Sequence, residues 1–187
     1  MRTLSRRTFS GMAMGAALAT TASMWPLRPA RAADPALRDY GKAPEFRGID
    51  TWLNSEPLTL QALAGKVVLV DFWTYGCYNC VNTLPHVVGW YEKYKNQGFV
   101  VVGIHSPEFA YEKPTRNVSA AMKKHGIAYP VAQDNGFQTW RAYDNKYWPS
   151  FYLVDKQGRV RRRHDGEGEY AQMDAAIRVL LAEKAPG

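Results

Sequence analysis

The sequence predicts an α/β fold, with a mixed, mainly parallel central sheet and helices on both faces. Three observations lead there. Two continuous, β-branched apolar runs, residues 66–73 and 99–104, read as strands buried on both sides. Stretches with helical spacing of apolar residues alternate with the strand-like runs, and such alternation implies parallel pairing. A late pair of strand-like runs around Lys156-Gln157-Gly158 adds an antiparallel edge. The chain has 187 residues, 46% hydrophobic and 22% charged, which is enough apolar material for one ordinary domain without a disulfide staple.

Taken in order, residues 33–45 are polar and contain proline, and are expected to form a loose arm ahead of a domain over 46–187. Residues 46–60, with the turn-like Asn54-Ser55-Glu56-Pro57, are expected to make a short hairpin. The first core strand, 66–73, opens at a Gly-Lys turn. A helix follows over 80–97, with Leu84, Val87, Val88, Tyr91 and Tyr94 on one stripe and Gly98 as its stop. Pro85 inside it should kink it. The second core strand, 99–104, is followed by a helix over 114–125 that ends at Gly126. Then come a short strand at 129–132, a short helix at 137–143, a hairpin of 150–155 with 159–164, and a closing amphipathic helix over 170–183. The order is β-α-β-α-β-α-β-β-α.

The formal net charge is +7, but five of those charges, Arg2, Arg6, Arg7, Arg28 and Arg31, lie in residues 1–32, which contain no acid. The remainder is near neutrality, which argues against a phosphate-tracking surface, and no nucleic-acid partner is expected. The local basic run of Lys156, Arg159, Arg161, Arg162 and Arg163 reads as a solvated strand edge protected by charge. Residues 1–32 combine Arg6-Arg7, a mildly apolar run from Gly11 to Trp25, and Ala30-Arg31-Ala32. These are the parts of a secretory signal, and the paired arginines point to the twin-arginine (Tat) route. The apolar run is shorter than the roughly 20 strongly apolar residues of a membrane span. Cleavage after Ala32 would release a mature chain of 33–187 into a periplasmic or other extracytoplasmic space, where cysteines are rarely idle.

The two cysteines of the chain both fall in Cys77-Tyr78-Asn79-Cys80, where a buried strand ends and a helix begins. The free N–H groups and dipole of a helix N-terminus stabilise an anion, so Cys77 is favoured as the thiolate, the attacking species in disulfide exchange. Cys80, one helical turn on, can attack the resulting mixed disulfide. A purely structural bridge would close a tiny loop and stabilise little. Zinc normally needs four ligands, and there is no second cysteine pair. Recruitment of His86 and His105 would give a copper site of Cys₂His type, which leaves a metal or cytochrome-maturation binding module as the alternative function. A peroxidase reading rests on Thr74 three residues before Cys77, but Val70 stands where peroxiredoxins carry a proline.

The run Val68-Leu69-Val70-Asp71-Phe72-Trp73-Thr74-Tyr75-Gly76-Cys77-Tyr78-Asn79-Cys80 resembles the active-site strand and loop of the thioredoxin superfamily. Pro85 resembles that family's kinking proline, and Tyr147-Trp148-Pro149-Ser150 sits just before a strand, where the family carries its cis-proline. Gly103-Ile104-His105-Ser106-Pro107-Glu108-Phe109 and Tyr129-Pro130-Val131-Ala132-Gln133-Asp134 are closer to the exported TlpA/ResA-like group, and nearest to the thioredoxin domains of DipZ-type membrane reductases. The resemblance covers roughly residues 44–183. It implies a thioredoxin-like fold, with the extra strand and helix before the cis-proline matching a TlpA-type insertion. The chain departs from ordinary thioredoxin in having Gly76 before the first cysteine and Tyr-Asn between the two.

The resemblance also implies roles. Cys77 and Cys80 would be catalytic, forming a redox-active disulfide with no further cofactor. Asp71 would be the buried acid behind them, with a raised pKa that suits proton transfer to and from Cys80. Pro149 would face the cysteines, and the backbone of Trp148 would pair with substrate. Trp73, Tyr75, Gly76, Tyr78 and Asn79 flank the pair and would shape an apolar docking surface, and Glu108 resembles an acid found near the active site in some relatives. The expected partners are protein dithiols and disulfides and a separate membrane thiol transporter of the DipZ/CcdA kind, with the chain itself a monomer. The expected activity is that of an exported thiol–disulfide oxidoreductase, a reductase of protein disulfides.

Overall fold

Six strands form one sheet, in the order β1-β4-β3-β2-β5-β6. The computed structural model describes residues 37–184; the expected export signal over 1–32 lies outside them. At the centre is β2 (Val67–Trp73), buried along its whole length. It pairs in parallel with β3 (Phe99–His105) and antiparallel with β5 (Ser150–Val154). β3 pairs in parallel with β4 (Val131–Gln133), whose far side takes β1 (Thr51–Leu53) antiparallel. β6 (Val160–Asp165) closes the other end antiparallel to β5. Parallel pairing, which strand–helix alternation implies, thus holds at the centre and gives way to antiparallel pairing toward both edges.

Alternation along β2 assigns the two faces. Val67, Leu69 and Trp73 point into one core cluster, shared with residues of α1 (Tyr78–Tyr94), α2 (Thr115–Lys124) and α4 (Tyr170–Ala182). Val68, Val70 and Phe72 point the other way, into a cluster covered by α3 (Gln138–Ala142) and by the irregular stretch around Leu58, Leu60 and Leu63. Asp71 therefore lies on the α1 side, between Leu69 and Trp73. Helix α1 starts at Tyr78, two residues before the expected start, and ends in a 3₁₀ turn, Lys95–Gln97. Gly98 follows with φ 88°, a left-handed conformation that suits glycine and lets the chain turn directly into β3.

Two expectations are corrected. Residues 46–60 form no hairpin: only Thr51–Leu53 is extended, and it serves as the edge strand against β4. The turn chemistry of Asn54-Ser55 is real, with Asn54 at φ 62°, but the chain leaves the sheet there instead of doubling back along it. The described part of the arm is also not loose. It runs along β6, where the N–H groups of Arg38 and Tyr40 donate to the carbonyls of Arg161 and Val160 at 3.0 and 2.9 Å, and Val160 N–H donates to Gly41 at 2.9 Å. Backbone pairing of an exposed sheet edge overrode the polar composition. The arginines of β6 and Arg159 just before it are taken up by acids: Arg159 by Asp39, Arg161 by Asp155, Arg162 by Glu169 and Arg163 by Asp165.

Candidate active site

The site forms where β2 runs out into Thr74–Cys77 and α1 begins. Cys77 is the N-cap of α1, with extended dihedrals (φ −82°, ψ 116°), and its Sγ accepts the N–H of Cys80 at 3.3 Å. This is the place a serine or aspartate usually fills at a helix start, occupied here by sulfur. Both cysteines are unbridged; Cys77 is half-buried and Cys80 fully buried. On the open side of Cys77 lies the carbonyl oxygen of Trp148, 3.8 Å from Sγ. The Trp148–Pro149 peptide is cis. A cleft of about 370 Å³ adjoins this point, lined by Asn79, Tyr147, Trp148, Asp165 and Gly166.

The electrostatics separate the two thiols. The hydrogen bond from Cys80, aided by the backbone N–H groups of Cys80 and Asn79, lowers the Cys77 thiol to about 7 against the opposing effect of burial. Burial pushes Cys80 far up, and its role as donor to Cys77 adds to this. Among the described residues Asp71 has no hydrogen-bond partner on either carboxyl oxygen, and burial, with the Cys77 charge behind it, raises its pKa to about 8. One thiol is thus ready as thiolate, the other is kept protonated, and a carboxyl able to carry a proton near neutral pH lies on the same face of the sheet.

The flanking residues divide. Gly76, Tyr78 and Asn79 are exposed, Tyr78 to 77%. Trp148 is half-buried, with its indole N–H on the carbonyl of Ser106 at 3.0 Å. Trp73 is corrected: it is fully buried, edge-on to His105, and belongs to the core and not to a docking surface. Both faces of β2 are covered, and Trp73, which shares a face with Leu69, packs into the α1-side core. Glu108 is exposed near Cys77, and its charge opposes thiolate formation there.

One residue beside the cysteines, Glu112, carries no sequence signal. Glu112, in the 3₁₀ turn Ala110–Glu112, is fully buried. Its carboxylate accepts the backbone N–H of Gly76 at 2.8 Å and those of Glu108 and Phe109. Tyr75 donates its hydroxyl to the Tyr111 carbonyl at 2.7 Å and stacks on His105 at 5.7 Å. His105, whose pKa burial lowers to about 4, lies 3.3 Å from the Thr74 hydroxyl. The nearest clue in the sequence was Gly76: a Cβ there would meet the Glu112 carboxylate at 2.2 Å. Neither histidine considered for copper joins the cysteines: His86 stacks on Tyr170 at 3.6 Å, and among the described residues no group of three His, Cys, Asp or Glu side chains could hold a metal.

A dithiol at a helix N-terminus, backed by a buried acid and faced by a cis-proline loop, defines a thioredoxin-like thiol–disulfide oxidoreductase. The chain belongs to the Redoxin family, whose profile matches residues 40–177. It is similar to Protein DipZ of Mycobacterium tuberculosis, 47% identical over 154 residues, which are 81% of this chain and 22% of that protein. It is also similar to the thiol-disulfide oxidoreductase YkuV of Bacillus subtilis, 29% identical over 75% of this chain and 94% of YkuV. The crystal structure of a thioredoxin-like superfamily protein superposes with a TM-score of 0.72 at 30% identity, over 78% of this chain and 99% of the other. Within the thioredoxin superfamily, the chain falls in the TlpA/ResA-like group. It spans about a fifth of DipZ's length.

Proposed function

We propose that this oxidoreductase is an exported reductase of protein disulfides. The observation that carries the reading is the setting of Cys77, which meets the Cys80 N–H on one side and the Trp148 carbonyl on the other. An extended substrate lying along Trp148 presents its disulfide to Sγ of Cys77. The Cys77 thiolate attacks one substrate sulfur, and the other leaves as a thiolate. Asp71 takes the proton of Cys80. Cys80 then attacks Sγ of Cys77, releasing the second substrate sulfur. The substrate gains two electrons and, from solvent and Asp71, two protons, while the enzyme is left with a Cys77–Cys80 disulfide. No bound cofactor is needed for this cycle. The exposed Tyr78 and Asn79 flank the approach to Cys77.

Export is supported by the twin-arginine segment of the sequence, and no helix among the described residues is long and apolar enough to cross a membrane. The similarity to DipZ supports a membrane thiol transporter of the DipZ/CcdA type as the electron donor. Insulin reduction tests the reading. Cys77→Ser abolishes it, and Cys80→Ser accumulates mixed disulfides with substrate. Activity retained by the Cys77 variant would overturn the assignment.

A further inference from the structure

We propose that Glu112 is a positioning residue for Cys77, acting through the peptide N–H of Gly76. The inference rests on the thiol–disulfide reading of the site. A fully buried carboxylate is costly unless hydrogen bonds compensate it, and Glu112 receives three, all from backbone. Two of the donors, Glu108 and Phe109, belong to its own segment; the third is Gly76, the residue immediately before the nucleophile. The carboxylate therefore ties the segment between β3 and α2 to the active-site loop.

The tie is specific to this geometry. Gly76 N–H is 2.8 Å from Oε1, and the contact is possible only because residue 76 has no side chain: a Cβ would lie 2.2 Å from Oε1. A second bond runs in parallel, from the Tyr75 hydroxyl to the Tyr111 carbonyl. Loop residues 75 and 76 are thus held from one side by residues 111 and 112, while Cys77 is held from the other by the N-terminus of α1. The position of Sγ relative to the Cys80 N–H depends on both holds. Glu112 touches neither sulfur nor substrate in this arrangement. It sets where the loop places the thiol.

Glu112→Gln tests this. The amide is nearly isosteric, but it keeps one acceptor oxygen; with that oxygen serving the two N–H groups of Glu108 and Phe109, an NH₂ donor faces the Gly76 N–H. With the loop released, Cys77 loses its alignment with the Cys80 N–H, and its titration moves from about 7 toward an ordinary thiol value. A rise of one unit cuts the thiolate fraction at pH 7 about fivefold. The experiment is alkylation of the reduced full chain by iodoacetamide across pH. The expected result is a midpoint shifted upward, with rates about fivefold lower at pH 7 that converge with wild type at high pH. Glu112→Asp, which keeps the carboxylate on a shorter arm, recovers part of the loss. A folded Glu112→Gln protein with an unshifted midpoint, whether its rates are unchanged or uniformly lower, overturns the proposal. If Glu112→Gln does not fold, Gly76→Ala breaks the same contact from the other side and must show the same upward shift. These outcomes are separate from the reductase reading, which fails if the wild-type protein does not reduce insulin or if Cys77→Ser still does.

Discussion

The backbone N–H of Cys80 points at Sγ of Cys77 from 3.3 Å, so that one cysteine of the pair caps the helix that begins the other's turn. A three-residue separation at a helix start brings the two groups within reach, and the contact makes two chemically identical side chains unequal. The first sits at the rim with N–H groups and a dipole behind it, and the second is carried under the helix into the core.

The inequality predicts a single modification. Excess iodoacetamide at neutral pH adds one carbamidomethyl group to the reduced protein, and the adduct maps to Cys77. Cys77 is half-buried with a pKa lowered to about 7, whereas Cys80 is fully buried and its acidity is suppressed. Mass spectrometry of the digested adduct reads the outcome. A double adduct on folded protein, or one confined to Cys80, would contradict the assignment of nucleophile and resolving thiol.

Asp71 predicts a stability that depends on pH. Its folded pKa, about 8, lies above the ordinary carboxyl value of 3.8, and burial is the main cause. Between those values the folded state holds a proton that the unfolded state has released. Folded protein is therefore favoured less as pH rises through this window, by up to the order of 5 kcal/mol above pH 8. Asp71→Asn removes that dependence. Urea unfolding of reduced wild type and variant at pH 5 and pH 8.5 should show the variant gaining relative stability at the higher pH. A difference that does not change with pH would mean Asp71 is not buried as a titrating acid. The same variant should also release trapped mixed disulfides more slowly, because Cys80 loses its proton acceptor.

The central sheet was legible because β2 and β3 are apolar on both faces, a pattern that tolerates few alternatives. The cysteine pair was legible because strand end, helix start and spacing all fall in one short segment. Trp73 was harder. An aromatic next to a reactive loop reads equally as core or as surface, and only the helices that cover this face of β2 as far as Trp73 decide between them. Glu112 was invisible for a different reason. Its partners are backbone N–H groups of Gly76, Glu108 and Phe109, and backbone donors leave no mark in residue type. The arm was misread for the same reason: what holds residues 38–43 is the open edge of β6, and a polar segment can satisfy an edge as well as an apolar one.

That edge carries the last prediction. Four backbone hydrogen bonds join residues 38–43 to residues 158–161, and Ala43 is buried against the second core cluster. The side-chain ion pair that accompanies them among the described residues, Asp39 with Arg159, is exposed on both partners. Exposed pairs contribute roughly 0–1 kcal/mol, whereas an uncovered strand edge presents free donors and acceptors to any second strand. The two contributions separate experimentally. Asp39→Asn should leave thermal stability within about a degree of wild type. Deletion through residue 44 should lower the melting temperature by several degrees, because it removes the bonds to β6 and the Ala43 contact together. It should also increase concentration-dependent association, as read by light scattering. Equal effects from the two changes would show that charge, and not backbone pairing, secures the arm.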